Sequence, residues 1–534
     1  MSPTRGERLI SIEAQARSLA PEGPLVPLLA PKASYPTGIS RDVALRGSSR
    51  RYPFGGDKHT AWRVDTFVVS AAFPRSFKNS AATLITSPAS SPNALNQDPP
   101  TNSTEPTKGR TEPPKARLSI EEAYIQICAD QLEALKQGKV SVDDEQELRN
   151  QAQLFIAVNR YVNTAVRPSK DKPLLTLVFA HPNGLHKETW EPAISDVLDA
   201  WDSGTPIGEV WCLDAFNQGD SAVLNQGRLG KTFDWSDHGR DIANFLISYL
   251  PDALSPSLSP PHLPFIHTPE TTLLQALDTI APIPGHPLPS HRIFRNRLIV
   301  GIGHSLGGAG MAYAATAQPS LFSSLILCEP ILPPPGAICS CEGLTKGALG
   351  RRETWISKRG MKEGLLKREF FRKWDERCLE MYVESGSKHL PEGGVGLKCR
   401  AQDEAVRSEL LTSLSRKDVH VLTLSLTHPH QLVFCDVQGL TVCRATLRLP
   451  QIPPTLPIHL IFAEDSIFPL DSALTNLLNL IPWATHEIFE GAGHLLVQER
   501  PKDTAEAIVR HLERLYKVAQ GDEVESYFFG KAKL

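Results

Sequence analysis

Six short runs of aliphatic and β-branched residues, with helical stretches between or after them, constrain the fold of this 534-residue chain more than any other feature. Continuous apolar strands that alternate with helices are typical of a parallel sheet covered on both faces. We therefore predict an α/β protein with a mostly parallel sheet. The runs are LFIAVNRYV, LLTLVFA, IGEVWCLDA, RLIVGIG, SLILCEP and PIHLIFAED, which begin at residues 154, 174, 207, 297, 324 and 457.

The regions outside this alternation differ from it in composition. The first 60 residues are rich in Pro, Gly, Ser and Arg. Residues 78–118 cannot bury enough apolar surface to offset the entropy that the chain would lose on folding. Ser119 and Glu122 have the spacing of a capping box at the start of an amphipathic helix. The predicted divisions are a poorly ordered segment 1–60, a first strand region 61–77, a disordered linker 78–118, a core 119–330 with a Pro-rich insertion 251–291, a lid 331–450, a second core part 451–518 and a flexible tail 519–534.

The predicted lid is largely helical. Five apolar residues in it recur every four positions, which predicts one stripe of a helix that packs on the body or forms an apolar wall over a site. Basic residues precede the stripe, and they form either a solvated surface or a contact for a carboxylate or phosphate. The stripe is Leu366, Phe370, Trp374, Cys378 and Tyr382, and the basic residues are Arg351, Arg352, Lys358 and Arg359.

Composition excludes several classes of protein. The net charge of -3 argues against nucleic acid or an anionic membrane as the main partner. The nine cysteines lack the even spacing of a disulfide framework, and no metal or cofactor is predicted. No apolar run approaches the ~20 residues of a membrane-spanning helix. The sequence predicts a soluble intracellular protein without a membrane span.

The segment Gly303-His304-Ser305-Leu306-Gly307 has the spacing of a nucleophile elbow. In such a sharp turn, side chains two residues before and after the serine would collide, so glycine is required there. A small-residue helix follows, and its N-terminal N–H groups would face charge that develops near Ser305. The alternative is a glycine-rich turn without chemistry.

A serine hydroxyl needs a base that takes its proton, and His494 is the candidate. It follows the last strand-like run, and the chain order of serine, acid and histidine is that of an α/β-hydrolase. The alternative is a packed or surface histidine.

Two acids compete for the position that orients this histidine. Asp465 ends PIHLIFAED and Glu329 ends SLILCEP, so both would lie at the carboxyl edge of the sheet, where ligands bind. We favour Asp465, keep Glu329 as the alternative, and expect Glu464 to point elsewhere.

Acyl transfer also requires donors for the oxyanion. The N–H of Leu306 is one, because it follows the nucleophile. The second should come from the loop HPNGLHKETWEP, in which Pro182 has no N–H to donate. Asn183 is the first choice and Gly184 the second, whereas His181 and His186 are expected to shape the loop.

Taken together, Ser305, His494 and HPNGLHKETWEP resemble the α/β-hydrolase superfamily. The segments AHPNGLHKETWEP, DAFNQGDSA and RRETWISKRG, followed by KWDERCLEMYVESG, are similar to a fungal branch of peroxisomal lipase-like and toxin-biosynthesis esterase-like proteins. The resemblance covers most of residues 150–400 and 450–515 and implies an α/β-hydrolase fold. In this branch the strand end near Asp465 does not always carry a carboxylate.

The C-terminal residues Ala532-Lys533-Leu534 are a conservative variant of the Ser-Lys-Leu address that the peroxisomal import receptor binds. They predict the peroxisomal matrix, with the cytoplasm as the alternative.

These observations predict a serine esterase, lipase-like, that cleaves a small, apolar ester or thioester through a covalent acyl-enzyme. The alternatives are an acyltransferase of fungal secondary metabolism and a non-catalytic binding protein on the same fold.

Overall fold

A computed structural model describes residues 61–83, 118–167, 173–202, 206–266, 294–333, 342–408 and 445–520. Residues 142, 256, 257, 259 and 295 are excepted, and residues 28, 29, 31, 35, 36 and 43 are described in addition. Most of the predicted N-terminal segment, linker and Pro-rich insertion, and nearly all of the tail, lie outside the described residues.

The regular elements of these residues follow the predicted alternation of strands and helices. The strands are β1 (Trp62–Ser70), β2 (Phe155–Asn163), β3 (Leu174–Ala180), β4 (Ile207–Leu213), β5 (Arg297–His304), β6 (Ser324–Cys328), β7 (Thr354–Trp355), β8 (Ser387–His389), β9 (Val395–Leu397), β10 (Ile458–Asp465) and β11 (Thr485–Gly493). The helices are α1 (Ile120–Gln137), α2 (Glu145–Asn150), α3 (Glu191–Ala200), α4 (Gly219–Leu224), α5 (Trp235–Ser248), α6 (Leu306–Ala317), α7 (Glu342–Leu349), α8 (Lys358–Leu365), α9 (Glu369–Arg372), α10 (Glu376–Gly386), α11 (Ala401–Ser408), α12 (Leu470–Leu480), α13 (Leu496–Glu499) and α14 (Pro501–Gln520).

Eight of these strands form one sheet in the order β1-β2-β4-β3-β5-β6-β10-β11. The β1–β2 and β2–β4 pairs are antiparallel, and the remaining neighbours pair in parallel. The predicted mostly parallel sheet is therefore confirmed. Because β5, β6 and β10 are parallel neighbours, their carboxyl ends lie side by side at one edge.

Alternate residues of the central strands enter the cores on the two faces of the sheet. Leu177 and Phe179 of β3 pack in one core with α3, α13 and α14. Val178 and Ala180 of the same strand pack in the other core with α5, α6 and α12. This period of two places a helical layer on each face.

The lid described here comprises residues 342–408. Besides its helices it contains a small antiparallel sheet in the order β7-β9-β8, which the sequence did not indicate. It has its own apolar core, called the lid cluster, that also includes Leu185 and the partly buried Leu495 of the body. The lid members of this cluster are Trp355, Met361, Leu365, Phe371, Trp374, Cys378, Leu379, Tyr382, Val383, Val395 and Leu397.

The predicted single stripe in the lid is wrong. Leu366 follows α8, Phe370 is in α9, Trp374 lies between α9 and α10, and Cys378 and Tyr382 are in α10. Leu366 and Phe370 are 39% and 52% exposed. The reason is local, because the side chain of Asp375 accepts a hydrogen bond from the N–H of Arg377 and starts a new helix. Phe371 instead joins Trp374 and Tyr382 in the lid cluster.

Helix α1 packs on the lid. Ile127 of α1 shares a small apolar cluster with Ala348 of α7 and Ala405 of α11. The predicted capping box is confirmed, because the N–H of Ser119 donates to Glu122 (2.8 Å) and the N–H of Glu122 donates to Ser119 Oγ (3.2 Å).

Candidate active site

Ser305 lies at the turn between β5 and α6, with φ 54° and ψ −112°. A Cβ on Gly303 would lie 2.4 Å from the carbonyl oxygen of Gly307, and a Cβ on Gly307 would lie 2.2 Å from that of Ala180. Only glycine fits at either position. The turn therefore holds the serine in a strained conformation at the carboxyl end of the sheet, at the N-terminus of α6.

His494 follows β11 and reaches this turn from the neighbouring half of the sheet. Its Nε2 lies 3.0 Å from Oγ of Ser305, within hydrogen-bond distance. The imidazole is mostly buried, with 13% of its side chain exposed. The structure thus brings together two residues that are far apart in the chain.

Glu329 completes the arrangement on the other side of the imidazole. It follows β6 with a φ of 44°, and its Oε2 lies 2.9 Å from Nδ1 of His494. The N–H of Ala463 donates to Oε1 (2.8 Å), and the hydroxyl of Ser466 donates to Oε2. The carboxylate is buried and held by donors from the end of β10 and the loop after it.

Asp465, the acid that the sequence favoured, is not the carboxylate that contacts His494, whose Nδ1 pairs with Glu329. Asp465 is exposed at the end of β10, where the register with β11 shifts between Ala463 and Asp465. Glu329 is buried instead, its N–H donates to the carbonyl of Ile461 (2.8 Å), and its Oε2 contacts Nδ1 of His494. Glu464 accepts a hydrogen bond from the N–H of Gly491 (2.9 Å).

His304, the residue before the serine, supports the histidine loop, and the sequence analysis gave it no role. Its Nε2 lies 2.8 Å from the carbonyl oxygen of His494. Burial, and after it the neighbouring His494, lowers the pKa of His304 to about 3. The ring is therefore neutral, and because a carbonyl only accepts, Nε2 is the protonated nitrogen that donates. The signal in the sequence was its place beside Ser305.

The loop after β3 lies next to this turn. Gly184 has a φ of 79°, and its N–H donates to Oε1 of Gln218 (3.1 Å). Nε2 of the same glutamine donates to Oδ1 of Asn183 (2.5 Å). Of the two candidate donors in this loop, Gly184 therefore already has a hydrogen-bond acceptor for its N–H.

The two histidines of this loop contact protein groups. Nδ1 of His181 donates to the carbonyl of Pro182 (2.8 Å), and its Nε2 accepts from the N–H of Ala215 (3.0 Å). His186 pairs with Glu188 (2.9 Å) and stacks on Tyr382 of the lid. Among the described residues, no group of three or more His, Cys, Asp or Glu side chains could hold a metal ion.

A buried ionic network lies behind the loop, and sequence reasoning missed it. Lys187 contacts Asp214 (3.0 Å) and Asp220 (2.6 Å), while Lys398 of the lid also pairs with Asp220. Burial raises the pKa of Asp214 to about 6, although Lys187 opposes this effect. Burial alone would raise the pKa of Asp220 too, but Lys187 and Lys398 outweigh it and lower that pKa. The network fastens the lid to the body.

The basic residues that precede the predicted stripe have partners within the lid. Arg351 pairs with Glu404 of α11 and is mostly buried, whereas Arg359 pairs with Glu363 at the surface. Lys358 pairs with Glu384 in the same way.

No helix of the described residues is both long and apolar enough to span a membrane.

The chain was compared with known proteins at the level of sequence. The sequence profile of the Alpha/beta hydrolase family matches residues 177–507, which is more than half of this chain. The Peroxisomal membrane protein LPX1 of Saccharomyces cerevisiae is 32% identical over 31% of this chain and 33% of its own. The Type I acyl-CoA thioesterase mpaH of Penicillium brevicompactum is 26% identical over 45% of either chain. This chain thus spans less than half the length of these two relatives.

A third relative matches over most of its own length, and one solved structure matches over most of both chains. The Abhydrolase domain-containing protein ACTT2 of Alternaria alternata is 24% identical over 40% of this chain and 83% of its own. The solved structure of the peroxisomal alpha-beta-hydrolase Lpx1 from Saccharomyces cerevisiae superposes with a TM-score of 0.52 at 17% identity, covering 89% of this chain and 99% of that one, and so has the same fold. With the profile match and the sheet order, these similarities establish that the chain belongs to the alpha/beta hydrolase family.

Proposed function

We propose that this protein is a serine hydrolase of carboxylic esters or thioesters, with Ser305, His494 and Glu329 as its catalytic residues. The observation that carries the proposal is the continuous pair of hydrogen-bond distances, 3.0 Å from Ser305 Oγ to His494 Nε2 and 2.9 Å from His494 Nδ1 to Glu329 Oε2. Such a chain lets one imidazole take the serine proton while a carboxylate stabilises the charge that forms.

The reaction has two stages. Ser305 Oγ attacks the substrate carbonyl as His494 takes its proton, and collapse of the tetrahedral intermediate transfers that proton to the departing alkoxide or thiolate. Water then attacks the acyl-enzyme as His494 takes its proton, and collapse of the second tetrahedral intermediate returns that proton to Ser305 Oγ and releases the acid. Glu329 holds the imidazole with Nδ1 protonated throughout.

The main-chain N–H groups of Leu306 and Asn183 are the proposed donors to the oxyanion. Leu306 is the first residue of α6, where N–H groups lack partners within the helix. Asn183 is preferred to Gly184 because the N–H of Gly184 donates to Gln218. Preorganised donors of this kind supply a large part of the catalysis of acyl transfer.

The apolar lid favours an apolar acyl group. Leu185, in the loop that carries the proposed oxyanion donor, belongs to the lid cluster, and Leu495, beside His494, packs against that cluster. Phe468 lies edge-on to the His494 ring at 5.1 Å between centroids. The Penicillium thioesterase among the relatives supports acyl-CoA thioesters as substrates to test beside simple esters.

The test is the Ser305→Ala variant, assayed with p-nitrophenyl esters of increasing chain length and with acyl-CoAs. We expect turnover by the wild type, a loss of at least about 10³-fold in the variant, and fluorophosphonate labelling only of the wild type. Undiminished hydrolysis by the variant refutes the proposal.

We also propose that the protein is imported into peroxisomes through Ala532, Lys533 and Leu534, which lie outside the described residues. The peroxisomal location in the name of the yeast relative supports this. A fluorescent protein fused to the N-terminus should give puncta that coincide with a peroxisomal marker. Removal of these three residues should make the fluorescence diffuse, and puncta that persist would contradict the proposal.

A further inference from the structure

Gln218 is a buried glutamine that contacts the proposed oxyanion loop with both ends of its amide. Its side chain lies between the loop after β3 and the start of α4 and is inaccessible to solvent. Its Oε1 accepts from the N–H of Gly184 (3.1 Å), and its Nε2 donates to Oδ1 of Asn183 (2.5 Å).

The direction of each hydrogen bond in this set is fixed by two main-chain groups. The N–H of Gly184 only donates, so Gln218 must present Oε1 to it and Nε2 to Asn183. Asn183 must then present Oδ1 to Gln218, which turns its Nδ2 toward the carbonyl of Glu404 in α11 of the lid (3.4 Å). Because a carbonyl only accepts, neither amide can flip without losing a hydrogen bond at one end.

Gln218 is itself rigidly held. Its N–H donates to the carbonyl of Ala215 (2.9 Å), and its carbonyl accepts from the N–H of Ala222 (3.1 Å). A side chain with a fixed main chain and two bonded ends transmits little motion to the loop that it contacts.

We infer that Gln218 is a positioning residue, which fixes Asn183 as the second oxyanion donor by holding the two residues 183 and 184 with one amide. The inference rests on the proposed function and adds the element that sets the geometry of its oxyanion site. By engaging the N–H of Gly184, Gln218 leaves the donor role in this loop to Asn183, since Pro182 has no N–H.

The lid takes part in the same arrangement. The main-chain carbonyls of Asp403 and Glu404 accept from the side chains of Asn217 (3.0 Å) and Asn183, respectively. The carboxylate of Glu404 lies against Gly184, because a Cβ there would be 2.7 Å from its Oε1. The loop is therefore held from the body by Gln218 and from the lid by α11.

The test compares Gln218→Met with Gln153→Met. Methionine keeps the length of glutamine but removes both hydrogen bonds. Gln153 is also a buried glutamine and precedes β2, and its Nε2 donates to the carbonyls of Ala71 (3.0 Å) and Leu154 (2.9 Å). It measures the cost of the same chemical change where no catalytic group is touched.

We expect Gln218→Met to lower kcat about 10- to 100-fold with KM changed less than about threefold, because a misplaced donor weakens the transition state more than the bound substrate. The affinity for an alkyl trifluoromethyl ketone, which forms a tetrahedral adduct with a serine, should fall by a similar factor. Gln153→Met should keep kcat and analogue affinity near wild type.

Rescue by Gln218→Glu distinguishes positioning from general stability. A carboxylate still accepts from the N–H of Gly184 but repels Oδ1 of Asn183, whereas a protonated carboxyl donates to it. The ratio of kcat in this variant to that of the wild type should therefore rise as the pH is lowered from about 8 to about 5.

Wild-type kcat and analogue affinity in Gln218→Met would overturn the inference. So would losses of kcat in Gln218→Met and Gln153→Met that both follow their losses in melting temperature. Neither result bears on the assignment of Ser305 as the nucleophile, which Ser305→Ala tests separately.

Discussion

The carboxyl ends of β6 and β10 are neighbours in the sheet, and each carries an acid, yet the two acids have different surroundings. Glu329 after β6 is buried, has a positive φ and accepts from Ala463, Ser466 and His494. Asp465 at the end of β10 is exposed. The end of β10 still serves the site, because it supplies two of the donors that hold Glu329. The comparison shows that one strand end can hold the carboxylate that contacts His494 while the neighbouring strand carries it.

Of the changes that test this difference, Glu329→Gln is expected to have the largest effect on kcat. The amide keeps the size of the side chain but loses the charge that stabilises the imidazolium and the acceptor that fixes its tautomer. We expect kcat to fall about 10³- to 10⁴-fold with the most active substrate of the ester and acyl-CoA panel. A variant that retains a tenth of wild-type kcat would remove Glu329 from the catalytic set.

A carboxylate placed on the β10 side should recover part of the kcat that Glu329→Gln loses. The hydroxyl of Ser466 is hydrogen-bonded to Oε2 of Glu329, the oxygen that contacts His494. In the double variant Glu329→Gln/Ser466→Asp, we expect kcat to recover about 10- to 100-fold over Glu329→Gln alone. No recovery in a double variant with the wild-type near-UV circular dichroism would mean that only the β6 end can aim an acid at His494.

A smaller effect, on stability, is expected from His304 at the end of β5, the strand next to β6. The pKa of His304 is lowered to about 3, so the folded protein keeps this ring neutral at pH values where the unfolded chain protonates it. The contribution of the neutral ring to the free energy of unfolding is complete above about pH 6.5. It is lost as the pH falls toward 3, at about 1.4 kcal/mol per pH unit.

His304→Gln should therefore flatten the decrease in the free energy of unfolding between about pH 6.5 and about pH 4. Urea unfolding of both proteins at a series of pH values measures the difference, in which titrations common to both, such as that of Asp214, cancel. Parallel pH profiles would show that His304 binds a proton equally in the folded and unfolded states.

The smallest effect is expected for Asp465→Asn. An exposed carboxylate that does not contact His494 contributes little to the charge at the site, and kcat should stay within about twofold of wild type. A loss comparable to that of Glu329→Gln would reverse the comparison between the two strand ends.

The sequence was sufficient for the parts of this molecule that depend on local pattern. Apolar strands predicted the sheet, and glycines at 303 and 307 predicted the turn at Ser305, because each follows from the sterics of a few residues. The choice between Glu329 and Asp465 was not local. It depends on how β6 and β10 pair and on a register shift near Asp465, which neither segment reveals alone.

Contacts between distant segments were harder still to predict. Lys187 and Lys398 are 211 positions apart in the numbering, and nothing in either segment indicates that both contact Asp220. The lid stripe failed for a related reason. Its apolar residues recur regularly every four positions, but Asp375 caps the start of a new helix and so interrupts the stripe.

The antiparallel edge of the sheet also limits how this protein can be shortened. The family profile begins at residue 177, inside β3, whereas β1, β2 and α1 precede it. A recombinant chain trimmed to that boundary would leave the backbone of β4 without its antiparallel neighbour β2 and uncover Ala348 and Ala405. An unpaired strand invites association between copies, so the smallest soluble enzyme should start before Trp62.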